Sequence, residues 1–226
     1  MLSTVAIVPS APVLVPDLAS GAAAELADLR DAVLRAAAEL PDRWVAIGVG
    51  SVDALIGSDA VGTFAGYGVD VPVALAPGGA GVPSELPLCA LITGWVRGRA
   101  NPSARAQVRV YADDHGVDAA QGFGRMLRAE LDEAADAVGV LIVADGANTL
   151  SPTAPGGYDP DAVPVQAALD DALASGDAAA LAGLPSGVLG RVAYQVLAGL
   201  GEPATAFESY RGAPYGVGYF AGVWVP

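Results

Sequence analysis

One stretch of this sequence decides the fold, and it reads Gly139-Val-Leu-Ile-Val-Ala-Asp145-Gly-Ala-Asn148-Thr-Leu-Ser-Pro152. Its first half is a short aliphatic run bounded by turn residues, a pattern typical of a strand buried on both faces of a parallel sheet. In open α/β sheets, ligands collect beyond the carboxyl ends of such strands. The loop that carries Asp145 and Asn148 is therefore the first place to look for a functional site.

The composition around this stretch predicts one folded domain. The chain has 226 residues, of which 53% are hydrophobic and 16% are charged, enough apolar material for a full core. Neither a repeat nor a linker-like segment divides it, so we predict a single domain over residues 1–226. All 11 basic residues are arginine, which excludes Schiff-base chemistry and a lysine that binds phosphate.

Charge and cysteine content restrict the expected partners and compartment. The net charge is −14 and the arginines form no cluster larger than Arg97-Gly-Arg99, so we expect no nucleic-acid binding. The single Cys89 cannot form an intramolecular disulfide, which suits a reducing cytoplasm. The N-terminus lacks the features of a signal peptide, and every long apolar stretch is interrupted. We expect a cytoplasmic protein that does not enter a membrane.

Strands and helices alternate along the chain, which predicts a three-layer α/β sandwich around a central, mostly parallel sheet. A glycine-rich loop or hairpin is predicted at 57–68, and Gly201 is expected just beyond the last helix. The predicted strands are 2–8, 44–49, 69–76, 106–111, a strand from Gly139, 204–210 and 216–225. The predicted helices are 21–40, 84–96 with Ser84 as its cap, 117–135, 161–173, 177–184 and 189–200.

Polar side chains follow four of the predicted parallel strands. If these strands are neighbours in one sheet, their loops form one crevice at its carboxyl edge. Two polar residues near the C-terminus join them as candidates. The candidate pocket residues are Ser10, Ser51, Asp114, His115, Asp145, Asn148, Glu208 and Tyr215.

His115 is the only histidine, and two interpretations of it stay open. It is a general base or a polar group that binds a substrate oxygen, with Asp114 raising its basicity. Alternatively, it caps the following helix or forms a local salt bridge. Tyr215 likewise either presents its hydroxyl to a pocket or serves in packing.

These residues give little support for a metal site or for nucleophilic catalysis. One histidine cannot build a site of two histidines and a carboxylate. An all-oxygen site for Mg²⁺ or Ca²⁺ from Asp114, Asp145 and Glu208 stays open. The serines lie in no nucleophile-elbow motif, and Cys89 lies among leucines and an isoleucine, as a core residue does.

Four segments, in chain order, resemble the class III extradiol ring-cleavage dioxygenases (the LigB-like superfamily) and their MEMO-like branch. Val8-Pro-Ser10-Ala-Pro-Val-Leu-Val-Pro16 is similar to the family's opening strand and its proline-histidine-x-proline loop. The segment from Val143 to Pro152 resembles one that commonly reads serine-glycine-aspartate-leucine-serine-histidine. Asp114-His115-Gly116 and Ala213-Pro-Tyr215-Gly-Val-Gly-Tyr219 resemble an aspartate-histidine-glycine loop and the closing MEMO-like strand. The resemblance implies the extradiol-dioxygenase fold and a homodimer.

The departures from the family pattern bear on function. Ser10, Gly50-Ser51 and Asn148 stand where the family carries its iron-binding or catalytic histidines, and Glu208 is the counterpart of its late carboxylate ligand. A hydroxyl, a glycine and an amide cannot replace imidazoles on Fe²⁺. The resemblance therefore implies a degenerate, metal-free member without a cofactor.

We expect a non-catalytic module that binds a small molecule or a partner. A ligand at the candidate pocket would be neutral or cationic, because an anion would meet Asp114, Asp145 and Glu208 with no lysine to balance them. The alternative is a metal-independent enzyme, for hydrolysis or proton transfer. It would use His115 as its base and Asp145 as its second catalytic residue.

Overall fold

The computed structural model describes residues 1–19, 21, 24–79 and 81–226. Strands in this part of the chain form a large sheet and a small one. They are β1 (Leu2–Val8), β2 (Arg43–Gly50), β3 (Ala54–Ile56), β4 (Val61–Thr63), β5 (Pro72–Ala74), β6 (Arg105–Ala112), β7 (Val138–Val143), β8 (Thr205–Gly212) and β9 (Tyr219–Val225).

The large sheet has seven strands in the order β3-β6-β2-β7-β1-β9-β8. Its centre consists of β6, β2, β7 and β1, and each of these strands pairs parallel with the next. Strands β3 and β9 pair with this centre antiparallel, and β8 pairs antiparallel with β9. The four strands predicted near Leu2, Trp44, Ala106 and Gly139 therefore share one sheet, as expected. Strand β7 lies in the middle and is buried throughout.

Helices cover both faces of this sheet and complete the predicted three layers. Helices α2 and α3 pack on one face, around Trp44 and Leu141, whereas α4 to α7 pack on the other, around Ile47 and Ile142. Successive side chains of a strand point to opposite faces, so each strand contributes to both cores. The helices are α1 (Pro16–Ala19), α2 (Ala27–Ala38), α3 (Leu88–Ala100), α4 (Val117–Glu133), α5 (Ala162–Ser175), α6 (Ala178–Ala182) and α7 (Arg191–Leu200). No helix within the described residues is both long and apolar enough to span a bilayer.

Strand β3 and helix α1 were not predicted, and three predicted segments differ in the structure. Only Pro72–Ala74 of the predicted strand 69–76 is a strand, and it pairs with β4, from the predicted hairpin, in a separate two-stranded sheet. Helix α3 begins at Leu88, because Pro87 disfavours a helical conformation in the residue before it. Ser84 is no helix cap and donates its N–H to the carbonyl of Val61 instead. The helix predicted from 21 is α2, which begins at Ala27; Ser20, Ala22 and Ala23 lie outside the described residues.

Helices α4 and α7 cross at a pair of glycines. A Cβ on Gly124 would lie 2.1 Å from the carbonyl oxygen of Val196, and one on Gly199 would lie 2.3 Å from that of Gln121. Any side chain at either position would push the two backbones apart. Helix α7 ends before Gly201, as predicted, and the φ of 103° at this residue favours glycine.

Candidate functional site

A crevice of about 270 Å³ lies at the carboxyl ends of the central parallel strands. It is bounded by the loops that follow β1, β6 and β7, by the end of β2, and by the residues that open α3 and α7. Its lining includes Ser10, Gly50, Leu88, Asp113, Asp145 and Leu189. This is the edge of the sheet where open α/β proteins bind their ligands.

Asp145 is a half-buried acid of this crevice. Its Oδ1 accepts a hydrogen bond of 2.8 Å from the N–H of Ser10. Burial raises the pKa of Asp145 to about 7, although the hydrogen bond from Ser10 acts in the opposite direction. Part of the side chain stays open to the crevice. The carboxyl group therefore changes its charge close to neutral pH, at a position that a ligand can reach.

Hydrogen bonds from three elements hold the loop after β7. Gly146 donates to the carbonyl of Gly218, just before β9, and Gly190 donates to the carbonyl of Asp145, both over 2.8 Å. The N–H of Ala147 donates to Oε1 of Gln166 in α5, also over 2.8 Å. These bonds fix the backbone on both sides of the carboxyl group, so its direction is set before any ligand arrives.

Gln166 is a positioning residue that the sequence prediction missed. It is buried, and its amide nitrogen donates to Oδ1 of Asp170 over 2.8 Å. Burial raises the pKa of Asp170 to about 6. The detectable signal is a glutamine and an aspartate four residues apart on the buried face of an otherwise apolar helix, a spacing that places two side chains in contact.

Two tyrosines lie close to Asp145. Tyr194 is buried in α7 and donates its hydroxyl to the carbonyl of Ala144 over 2.9 Å. Burial, and then the charge of Asp145, raises the pKa of both Tyr194 and Tyr219. Both phenols therefore stay protonated at any physiological pH. The sequence placed Tyr194 in a helix and Tyr219 at the closing strand, but it gave neither a relation to Asp145.

His115 lies outside the lining of the crevice and contacts the carboxyl group of Asp53. Its Nε2 lies 2.8 Å from Oδ1 of Asp53, and its ring meets Phe123 edge-on with centroids 4.9 Å apart. The pKa of Asp53 is lowered, first by a hydrogen bond from the N–H of Ala112 and then by the one from His115. The predicted partner, Asp114, is exposed instead. The acid that contacts His115 is therefore Asp53 and not the predicted Asp114.

The structure does not gather the remaining predicted residues at the crevice. Ser51 is exposed and outside the lining, and the carbonyl of Asn148 accepts a turn hydrogen bond from Gly156. Glu208 lies on β8, at the edge of the sheet, where it accepts from Nε of Arg211 over 2.7 Å. Tyr215 is exposed and donates its hydroxyl to Glu25 over 2.7 Å. Of the eight predicted pocket residues, Ser10 and Asp145 line this crevice and the other six do not.

The donor groups do not fit an iron ion of the kind that the resemblance to extradiol dioxygenases would imply. Within the described ranges, no three histidine, cysteine or acidic side chains lie close enough to hold one metal ion. The all-oxygen site from Asp114, Asp145 and Glu208 therefore does not form. Ser10 and Gly50 offer no imidazole, and one oxygen of Asp145 already accepts from Ser10. Cys89 is a core residue, as predicted, and burial raises its pKa to about 12.

The architecture is similar to that of a solved structure, whereas the sequence comparisons identify no family. The crystal structure of the uncharacterized protein JW3007 from Escherichia coli K12 matches with a TM-score of 0.59 and 11% identity, covering 99% of this chain and 100% of that one. At this identity the similarity concerns the fold alone. No protein-family model matches the sequence, and no curated protein matches it.

Proposed function

We propose that this chain is a degenerate member of the extradiol-dioxygenase (LigB-like and MEMO-like) superfamily and acts as a non-catalytic binding module. Its ligand is a small neutral or cationic polar molecule, which it binds in the crevice between Ser10 and Asp145. One observation carries the proposal. The crevice at the ligand-binding edge of the parallel sheet is lined by the partly accessible carboxyl group of Asp145, which a hydrogen bond from Ser10 orients, and by no histidine.

The charges around the crevice support this class of ligand. Asp113 and Asp145 both line it, whereas no arginine does. Arg191 is close, but its guanidinium donates to the carbonyls of Asp113 and His115 over 2.7 and 3.0 Å. An anion would meet these two acids directly, while Arg191 is held against backbone carbonyls; an amine or hydroxyl would pair with Asp145. The apolar Leu88 and Leu189 suit the carbon frame of a small metabolite.

The alternative function, hydrolysis or proton transfer with His115 as the base, rests on the pair that His115 forms with Asp53. A carboxylate partner holds an imidazole in one orientation, as a general base requires. However, His115 is not among the residues that line the crevice, so the geometry favours the binding module. The proposal also includes a cytoplasmic location, which the buried free Cys89 supports, and a homodimer, which rests on the family resemblance.

Metal content and ring cleavage test the degenerate assignment. We expect purified protein to contain no stoichiometric iron. Protocatechuate should be cleaved no faster than in the buffer control, even with added Fe²⁺, because Ser10 and Gly50 stand where the family has imidazoles. Inductively coupled plasma spectrometry and the absorbance of the ring-opened product measure the two quantities. One equivalent of iron together with ring opening would refute the assignment.

A ligand screen tests the binding module and separates it from the alternative. Small amines and neutral polar metabolites should raise the melting temperature at pH 8, where Asp145 is charged. Asp145→Asn, which keeps the acceptor for Ser10, should remove the shift given by an amine. His115→Ala is the matched control and should retain it. Loss of the shift in His115→Ala but not in Asp145→Asn would favour the enzyme instead.

A further inference from the structure

A second pocket, of about 380 Å³, lies at the opposite, amino-terminal edge of the large sheet. The starts of β2 and β6 and the end of α4 enclose it, and Arg43 and Arg105 belong to its lining. Arg43 begins β2 and Gly50 ends it, so about 23 Å of strand separates this pocket from the crevice. The proposed function uses none of its residues.

The two arginines stand side by side. Arg43 and Arg105 are register partners on the parallel strands β2 and β6. Directly paired residues on neighbouring strands point to the same face of a sheet, about 5 Å apart. Two positive charges in this position repel each other, which destabilises the pair of strands unless a negative group lies between them.

Neither guanidinium has a partner within the described residues, either in an ion pair or in a side-chain hydrogen bond. Two acids, Asp42 and Glu130, line the same pocket, and each has a hydrogen-bond partner other than these arginines. Glu130 accepts from Arg109 over 2.6 Å, and Oδ1 of Asp42 accepts from Asn101 and Ser103 over 2.9 and 3.1 Å. Because Asp42 and Glu130 are held by these other groups, the guanidiniums of Arg43 and Arg105 stay available to a further negative group.

We propose that this pocket, hereafter the Arg43–Arg105 pocket, binds the oxyanion group of a small organic molecule, a phosphate or a carboxylate. The planar fork of each guanidinium matches the oxygens of such a group and forms charge-assisted hydrogen bonds with it. Ser58 and Gln107 line the same pocket and supply a hydroxyl and an amide. Leu131 and other apolar residues at the end of α4 and the start of β7 face the carbon part of the ligand.

Titration with two probes at low ionic strength tests this site. Inorganic phosphate and succinate are each titrated into the protein by calorimetry, with a far-UV spectrum to verify folding of each variant. We expect wild type to bind at least one of them at one equivalent. Arg43→Gln and Arg105→Gln should each weaken that binding by about tenfold or more, since each removes a charged, forked donor. Phosphate binding alone identifies a phosphorylated ligand, and succinate binding alone a carboxylate.

Arg35→Gln is the matched control, because it removes the same charge from an exposed position on α2, on the other face of the sheet. It should bind as wild type does. The control separates binding in the pocket from general attraction of anions to arginines on the surface. Equal binding in Arg35→Gln and both pocket variants, or no binding of either probe to wild type at millimolar concentrations, would overturn the proposal.

Discussion

Ionised Asp145 lowers the stability of the folded protein, because its carboxyl group is partly removed from water. Its pKa of about 7 lies above the ordinary value of 3.8 because burial disfavours the charged form. An acid whose pKa is raised on folding binds more protons in the folded than in the unfolded state. Below about pH 4 the carboxyl group is protonated in both states, and it does not lower the free energy of unfolding. The free energy of unfolding falls as the pH rises from there and levels off above about pH 7.

Asp145→Asn should remove this loss of stability while keeping an oxygen that accepts from Ser10. We expect its free energy of unfolding to exceed that of wild type by about 2–4 kcal/mol at pH 8 and to equal it near pH 4. Urea unfolding at pH 4, 6 and 8 measures the difference. Asp114→Asn, at an exposed acid, should change little at pH 8. A variant less stable than wild type at pH 8 would mean that the folded protein stabilises the charged carboxylate.

The sequence predicted a residue of the crevice correctly only where that residue follows the carboxyl end of a central strand. Ser10 and Asp145 directly follow β1 and β7, and their contact comes from the parallel pairing of these strands. The partner of His115, by contrast, is Asp53, which is 62 residues away. A sequence pattern contains no information on such a contact, so it favoured the adjacent Asp114.

Among the helices, the crossing of α4 and α7 depends on two missing side chains. In Gly199→Ala the new Cβ would meet the backbone of Gln121, which cannot move aside as a flexible side chain would. We expect a loss of about 1–3 kcal/mol in the free energy of unfolding, measured in urea. Gly98→Ala is the control within α3, where nothing lies within 4 Å of the added Cβ. It should gain about 0.5–1 kcal/mol, since alanine favours a helix. Equal stability of the two variants would contradict the close crossing.

Elements with strong periodicity were predictable, whereas their pairing was not. Residues 138–143 form a short apolar run bounded by turn residues, which is typical of a buried strand, and residues 117–133 have the period of an amphipathic helix. Residues 69–76 are also apolar, but periodicity reports burial and not which strand is the neighbour. The two-stranded sheet of β4 and β5 could therefore not be distinguished from a further strand of the large sheet.

At the scale of the whole molecule, the two edges of the large sheet differ in charge. The crevice at the carboxyl edge is lined by Asp113 and Asp145 and by no arginine, whereas the pocket at the amino edge has Arg43 and Arg105 beside Asp42 and Glu130. The strand order that creates this difference joins β1 to β7, about 136 residues later in the chain. The composition gives the net charge of the protein, but only the topology shows that Arg43 and Arg105 lie side by side.

The net charge of −14 should make folding sensitive to salt at neutral pH. Acidic groups repel one another more in the compact state, and raising NaCl from 10 mM to 0.3 M shortens the screening length from about 30 Å to below 10 Å. We expect the melting temperature at pH 8 to rise by several degrees. Near pH 4.1, the isoelectric point expected from the sequence, the net charge vanishes and the rise should disappear.

The double variant Arg43→Gln/Arg105→Gln separates this general screening from chloride bound in the Arg43–Arg105 pocket. If repulsion among acids is the cause, the double variant, which is more negative by two charges, should respond to NaCl at least as strongly as wild type. A weaker response would assign the effect to chloride at the pocket. A rise as large at pH 4.1 as at pH 8 would show that charge repulsion does not limit the stability of this fold.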